Sequence, residues 1–245
     1  MDIVDVPGLV GTSRNLYKGV IFMWRRILFI LVLGLIALMI FNNVSTSLDQ
    51  QTVATFKNVY KLSPLKNPHT FNDEISAIKI IQHKVLEIAP HKDGIPDYQP
   101  REPINLVNAR HGFCFDRSRS IDKAVNFIGL PTRHVFLLYR QDRNFFGAIF
   151  HYGQRSHAVT EVKTSKGWML VDSNSEWVAL NLLGQPVNAD DTWKKANQFN
   201  NIPIYLKRPS WAIRGMYSRI GHQYYPYNLF PDVNWLDLFS WVFFG

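Results

Sequence analysis

A single cysteine occurs in 245 residues, so the chain cannot close an internal disulfide. Nor can it supply the paired-thiol spacings of structural zinc sites. The eight histidines are scattered, which leaves neither a metal nor another cofactor with a recognisable ligand set. The formal charge is +8, yet no lysine- or arginine-dense run or RNA-binding signature accompanies it, so nucleic acid is not expected as a partner. The charge suits other anionic surroundings, such as phospholipid or a polyanionic glycan. Residues that are 47% hydrophobic argue against global disorder, and the length suffices for one substantial domain with extensions. No internal repeat is found.

The strongest feature present is an uncharged run, "ILFILVLGLIALMIF", from Ile27 to Phe41. As a helix it rises about 22 Å, short of a hydrocarbon core of about 30 Å. The preceding "VIFMW" and snorkelling by Arg25 and Arg26 make up the difference. A secretory signal has an apolar region of similar length. Here, however, an unusually long segment precedes the run, and the "VSTS" that follows is a weak cleavage site. An uncleaved anchor is therefore expected. Arg14, Lys18, Arg25 and Arg26 lie before the run, whereas the first basic residue after it is Lys57. The positive-inside rule then leaves the N-terminus in the cytoplasm and exports the rest, to a periplasmic or extracellular location. An unpaired thiol there is a liability unless buried or used.

Beyond the run, residues 45–70 are polar and mixed and read as a stalk. "FNDEISAIKIIQHKVLEIAP" has helical periodicity, with Asn72 as N-cap and Pro90 as the stop. A second helical stripe, Ile121, Ala124, Val125 and Ile128, follows Cys114 and ends at Gly129, a C-terminal cap. Four strand patterns come next: "RHVFLLYR", "SHAVTEVK", "WMLVDS" and "EWVALNLL". Helices followed by strands predict an α+β fold with a mostly antiparallel sheet.

Cys114 falls at the first turn of its helix, where free N–H groups and the macrodipole favour a thiolate. Its own N–H is a candidate oxyanion donor, and Gly112 permits close backbone approach. Four histidines are candidate bases: His111, His134, His151 and His157. His157 is linked to an acid by hairpin geometry. If the turn is Thr164 to Gly167 and Lys163 pairs with Trp168, Val159 lies opposite Asp172. His157 then shares Asp172's face as its diagonal neighbour, about 7–8 Å away between backbones.

The ordered series "GFC", "GLPTR", "SHAVTEV" and "GWMLVD" resembles the transglutaminase-like domain of the papain-like cysteine enzymes. The resemblance spans roughly residues 71–190. It implies a Cys at a helix N-terminus packed on an antiparallel sheet, with the catalytic residues Cys114, His157 and Asp172. Gly129, Pro131 and Arg133 map to the family's Gly-Ile-Pro-Ala-Arg-like segment, and Trp168 to its strand tryptophan. Val159 stands where the family commonly has an aromatic.

The expected organisation is a cytoplasmic tail (1–19), an anchor (20–44), a stalk (45–70), a catalytic domain (71–190) and an aromatic-rich C-terminal extension (191–245). The resemblance implies a thioester enzyme that cross-links, deamidates or hydrolyses, acting on protein or peptide substrates with Gln or other amide groups. A non-catalytic binding or assembly module of a cell-envelope system is the alternative. Trp193, Trp211, Trp235 and Trp241 in the tail suit an interfacial membrane contact, a glycan or partner surface, or packing on the domain's own sheet.

Overall fold

The computed structural model describes residues 9–67, 69–90, 93–219 and 221–244, with backbone alone for 9–20 and 244. It comprises two units, one ending at Phe41 and one beginning at Asn42. The first is the helix α1 (Leu9–Phe41). The expected tail over 1–19 lies outside the described residues up to position 8, and only helical backbone is described for the remainder. From Ile21 to Phe41, 21 residues of α1 are long and apolar enough to cross a membrane, rising about 31 Å. The expected anchor reaches residue 44, but α1 stops at Phe41. Asn42 and Val44 are buried within the second unit.

The segment read as a stalk is instead part of that second unit. Asp49 caps α2 (Gln50–Asn58) by accepting the Thr52 N–H at 2.7 Å, a bond typical of an N-cap. Phe56 and Tyr60, one helical turn apart, are fully buried in the main core and meet edge to face at 5.4 Å. The buried residues of α2 itself are Thr52, Thr55 and Phe56, and with two of the three polar no apolar periodicity marks the helix as core.

In α3 (Phe71–Ile88) the stripe Ile78, Ile81 and Val85 is buried. The helix is capped by Thr70 and Asp73, which exchange hydrogen bonds as a capping box, rather than by Asn72. Pro103 opens the short α4 (Pro103–Ala109). The helix α5 (Cys114–Phe127) ends just before Gly129, whose φ of +102° only glycine adopts without strain.

Next come β1 (Thr132–Tyr139), α6 (Phe145–Phe150), β2 (Ser156–Thr164), β3 (Gly167–Val171), α7 (Ala189–Thr192) and β4 (Ser210–Arg214). The four strands form a curled antiparallel sheet in the order β3-β2-β1-β4. A smaller pair, β5 (Met216–Ser218) and β6 (Asp232–Val233), leads to α8 (Trp235–Phe244). The fold is thus α+β, with the Cys114 helix packed on β1 and β2.

A buried ionic cluster ties three strands together. Glu161 of β2 accepts Arg133 of β1 at 2.6 Å and Arg214 of β4 at 2.9 Å. It also accepts the Ala189 N–H at 2.6 Å. Burial raises the Glu161 carboxyl, but Arg214 and Arg133 outweigh this and hold it below the usual range. Removing one partner would strand a charge in the core, which is costly even though such a pair adds little net stability.

Two expectations are corrected here. "EWVALNLL" is not a strand; it makes only single bridges, Val178 to Val171 and Leu180 to Pro186. The Asn181 side chain accepts the N–H groups of Leu183 and Gln185, bonds that close a turn where a strand would need a ladder. The segment 191–245 is not an appendage either, since it supplies β4 beside β1. Trp211 and Trp241 pack against a cluster built on Phe136, Leu138 and Ile213.

Candidate active site

Cys114 occupies the first position of α5, with Phe113 in extended conformation before it. Asp116 caps this end by accepting the Phe113 N–H at 2.9 Å and the Ile95 N–H at 3.2 Å. Arg101 in turn holds Asp116 at 2.5 Å. Gly112 is packed so closely that an added Cβ would lie 2.7 Å from Leu106. The loop before the cysteine and the helix it opens are thereby fixed relative to each other. The thiol is half-buried and lines a cavity of about 150 Å³ together with Phe115, Phe136, Ser156, Tyr217 and Gln223.

Lys163 pairs with Trp168 in the β2–β3 hairpin, and Thr160 with Val171. Continuing that register places Asp172 beside Val159, on the face of His157. The two side chains meet, with His157 Nε2 2.7 Å from Asp172 Oδ1. His157 is also near enough to the Cys114 thiol for each to shift the other's titration. The other three histidines are engaged elsewhere. His111 donates to the Asp93 carbonyl at 3.0 Å. His134 lies 2.8 Å from Asp122 and stacks on Tyr217, and His151 faces Arg143.

The charges of the three groups reinforce one another. Burial raises the Cys114 thiol, but the His157 hydrogen bond and charge, the Ala158 backbone and Arg117 together bring it below its ordinary value. Burial lowers His157, yet Asp172 and the thiolate outweigh this and raise it to about 9. Asp172 is also raised by burial, and the hydrogen bonds from His157, Tyr205 and Ser175 hold it below the usual carboxylate range. The arrangement favours a thiolate–imidazolium pair over two neutral groups.

Several supporting residues were not read from the sequence. Tyr205 and Ser175 donate their hydroxyls to Asp172 Oδ2, and Tyr205 also stands edge-on to His157 at 5.0 Å between rings. From α3, the amide nitrogen of the fully buried Gln82 shares its two N–H groups among the carbonyls of Asp172, Ser175 and Trp177, at 2.8–3.0 Å. Arg117, one turn beyond Cys114, reaches Asn174. These groups hold the turn that carries Asp172. The sequence signal for Gln82 is a polar residue beside a buried helical stripe, and Tyr205 leaves none. Among the described residues there is no cluster of three metal-ligating side chains.

Residues 68–173 match the family model described as the transglutaminase-like superfamily. No curated protein matches the chain. The matched span begins just before α3 and ends one residue past Asp172, and the curled sheet, the helix opened by Cys114 and the hairpin around His157 lie largely within it. On the match and the α+β architecture together, residues 68–173 form a transglutaminase-like domain.

Proposed function

We propose that the protein is a membrane-anchored, exported cysteine enzyme that transfers acyl groups from carboxamide or peptide bonds through a thioester on Cys114. What supports this reading is the hydrogen bond of His157 to Asp172 at 2.7 Å together with the mutual shift of the His157 and Cys114 titrations. In the reaction, the thiolate attacks the amide carbon and the N–H of Cys114 stabilises the oxyanion. His157 then gives its proton to the departing amine, leaving a thioester. A second nucleophile attacks that thioester as His157 takes its proton, and the thiolate is restored. An amine produces a cross-link, and water produces deamidation or hydrolysis. Asp172 keeps the imidazole oriented and stabilises its charged form.

The size of the cavity at Cys114 supports a side chain as acyl donor. At about 150 Å³ it is well below the roughly 300–1,000 Å³ of pockets that enclose whole small molecules. Full-length protein incubated with glutamine-containing peptides and a primary amine is expected to release ammonia and form a conjugated or deamidated product. The Cys114→Ala variant should form none. Native protein that shows no turnover on amide and peptide libraries, while still folded, would instead favour a binding or assembly module.

Localisation follows from α1 and its flanks. With basic residues before the apolar stretch and none until Lys57 after it, the N-terminus is cytoplasmic and the domain is exported. Protease added to spheroplasts is expected to digest the domain. A domain protected in intact spheroplasts but cleaved after lysis would reverse the orientation.

A further inference from the structure

The helix α8 is apolar on both sides. Leu238 and Trp241 pack inward on the cluster formed by Phe136, Leu138 and Ile213. The opposite stripe, Leu236, Phe239 and Phe243, follows i, i+3, i+7 spacing and is exposed, Leu236 by 81% and Phe243 by 70%. The only charged residue of α8 is Asp237, and it is turned inward enough to be half-buried. A helix without a polar face is ordinarily enclosed. An uncharged outer stripe of this kind is a surface awaiting a partner.

Two further observations identify the partner. The start of α8 is tethered to the residues that directly follow Phe41. Asn43 accepts the Trp235 N–H at 3.2 Å, Asn234 donates to the Val44 carbonyl at 3.0 Å, and Val44 donates to the Val233 carbonyl at 2.8 Å. Residues 43 and 44, at the start of the second unit, are therefore bonded to the root of α8. Beside α8 lies a cavity of about 310 Å³ that includes Trp193, Trp211 and Trp241 with Arg140, Lys194 and Asp190; Lys194 pairs with Asp191 at 3.4 Å and Asp190 with Arg214 at 2.6 Å, so among the described residues Arg140 is its unpaired cation. The Arg140 guanidinium sits over the Trp193 and Trp211 rings, at 5.4 and 4.9 Å, and no carboxylate pairs with it among the described residues. Tryptophans beside cations match the chemistry of a headgroup layer, while an uncharged stripe matches the acyl boundary beneath it.

We propose that the outer stripe of α8 and the adjoining tryptophan cavity rest on an anionic lipid surface, which places the Cys114 cavity at a fixed orientation to the membrane. The inference rests on the reading of α1 as a membrane span. Full-length protein carrying Cys114→Ser would be reconstituted in phosphatidylcholine vesicles with and without phosphatidylglycerol. An environment-sensitive fluorophore would be attached at Phe243→Cys or, as control, at exposed Ile80→Cys. Shallow nitroxide lipids are expected to quench the label at position 243 several-fold more than the label at position 80. Arg140→Gln with Lys194→Gln should reduce that difference in anionic vesicles only. Equal quenching at the two positions would overturn the proposal. So would a label at 243 shielded from lipid in a cross-linkable dimer, which would assign the stripe to a second copy. An alkaline carbonate wash tests α1 separately, because release of the chain would refute the span whatever the quenching shows.

Discussion

Iodoacetamide is expected to alkylate Cys114 in the native protein well below pH 8.5, about the ordinary value of a free thiol. The reason is the neighbourhood of the sulfur. Burial opposes ionisation, but the His157 hydrogen bond and charge, the Ala158 backbone and Arg117 outweigh it. The thiolate and imidazolium form as a pair, so their titrations are coupled and the measured values belong to both groups. Alkylation should begin at the lower limit of that pair and persist through pH 9. Turnover should behave differently, rising with the same lower limb but falling as His157 deprotonates near pH 9 and can no longer protonate a leaving amine. Alkylation rates and turnover measured across pH 5–10 by mass spectrometry test both. A thiol that resists until the protein is denatured would refute the nucleophile.

The same shifts set a stability window. His157 is raised in the folded state, so its contribution is complete below about pH 6.5 and is lost as pH rises through about 9. Asp172 is lowered, so its contribution is present above the unfolded value of about 4 and is lost as pH falls through the folded one. Between these limits the pair supports the hairpin.

Asp172→Asn is expected to lower turnover by roughly 10²–10⁴. The carboxylate has two jobs: Oδ1 holds the His157 ring, and Oδ2 accepts Tyr205 and Ser175. An amide fills the same space but brings one acceptor and no charge. His157 would lose the partner that favours its protonated form, and a cation less readily held beside the sulfur means a weaker thiolate. The alkylation profile should therefore move toward the ordinary thiol range, a change that a purely structural role would not produce. Stability should fall by about 1–2 kcal/mol, because the hydroxyls of Tyr205 and Ser175 can rotate to meet the new donor. His157→Ala should lower turnover at least as far, and the double variant little further, since groups that act as a unit are not additive. Independent, multiplying losses would argue against a shared mechanism.

What the sequence determined is local. The turn before Trp168, with Gly167 at φ +129°, sets the Lys163–Trp168 register, and a strand period of two then carries His157 and Asp172 to one face. The stripe after Cys114 sets a helix, and Gly129 sets its end, because both follow from periodicity and backbone freedom over a few residues. Tertiary structure alone decided the rest. Gln82 lies 90 residues from Asp172 and Tyr205 lies 33, and no pattern along the chain records a hydrogen bond closed across such separations. Phe56 and Tyr60 are core only because α5 meets them, through Phe127 and Ser120, and Asn42 to Val44 belong to the folded unit only because residues 228–235 return to meet them. A polar composition signals which residues tolerate water, and it is the partner brought by the fold that decides which of them are kept from it.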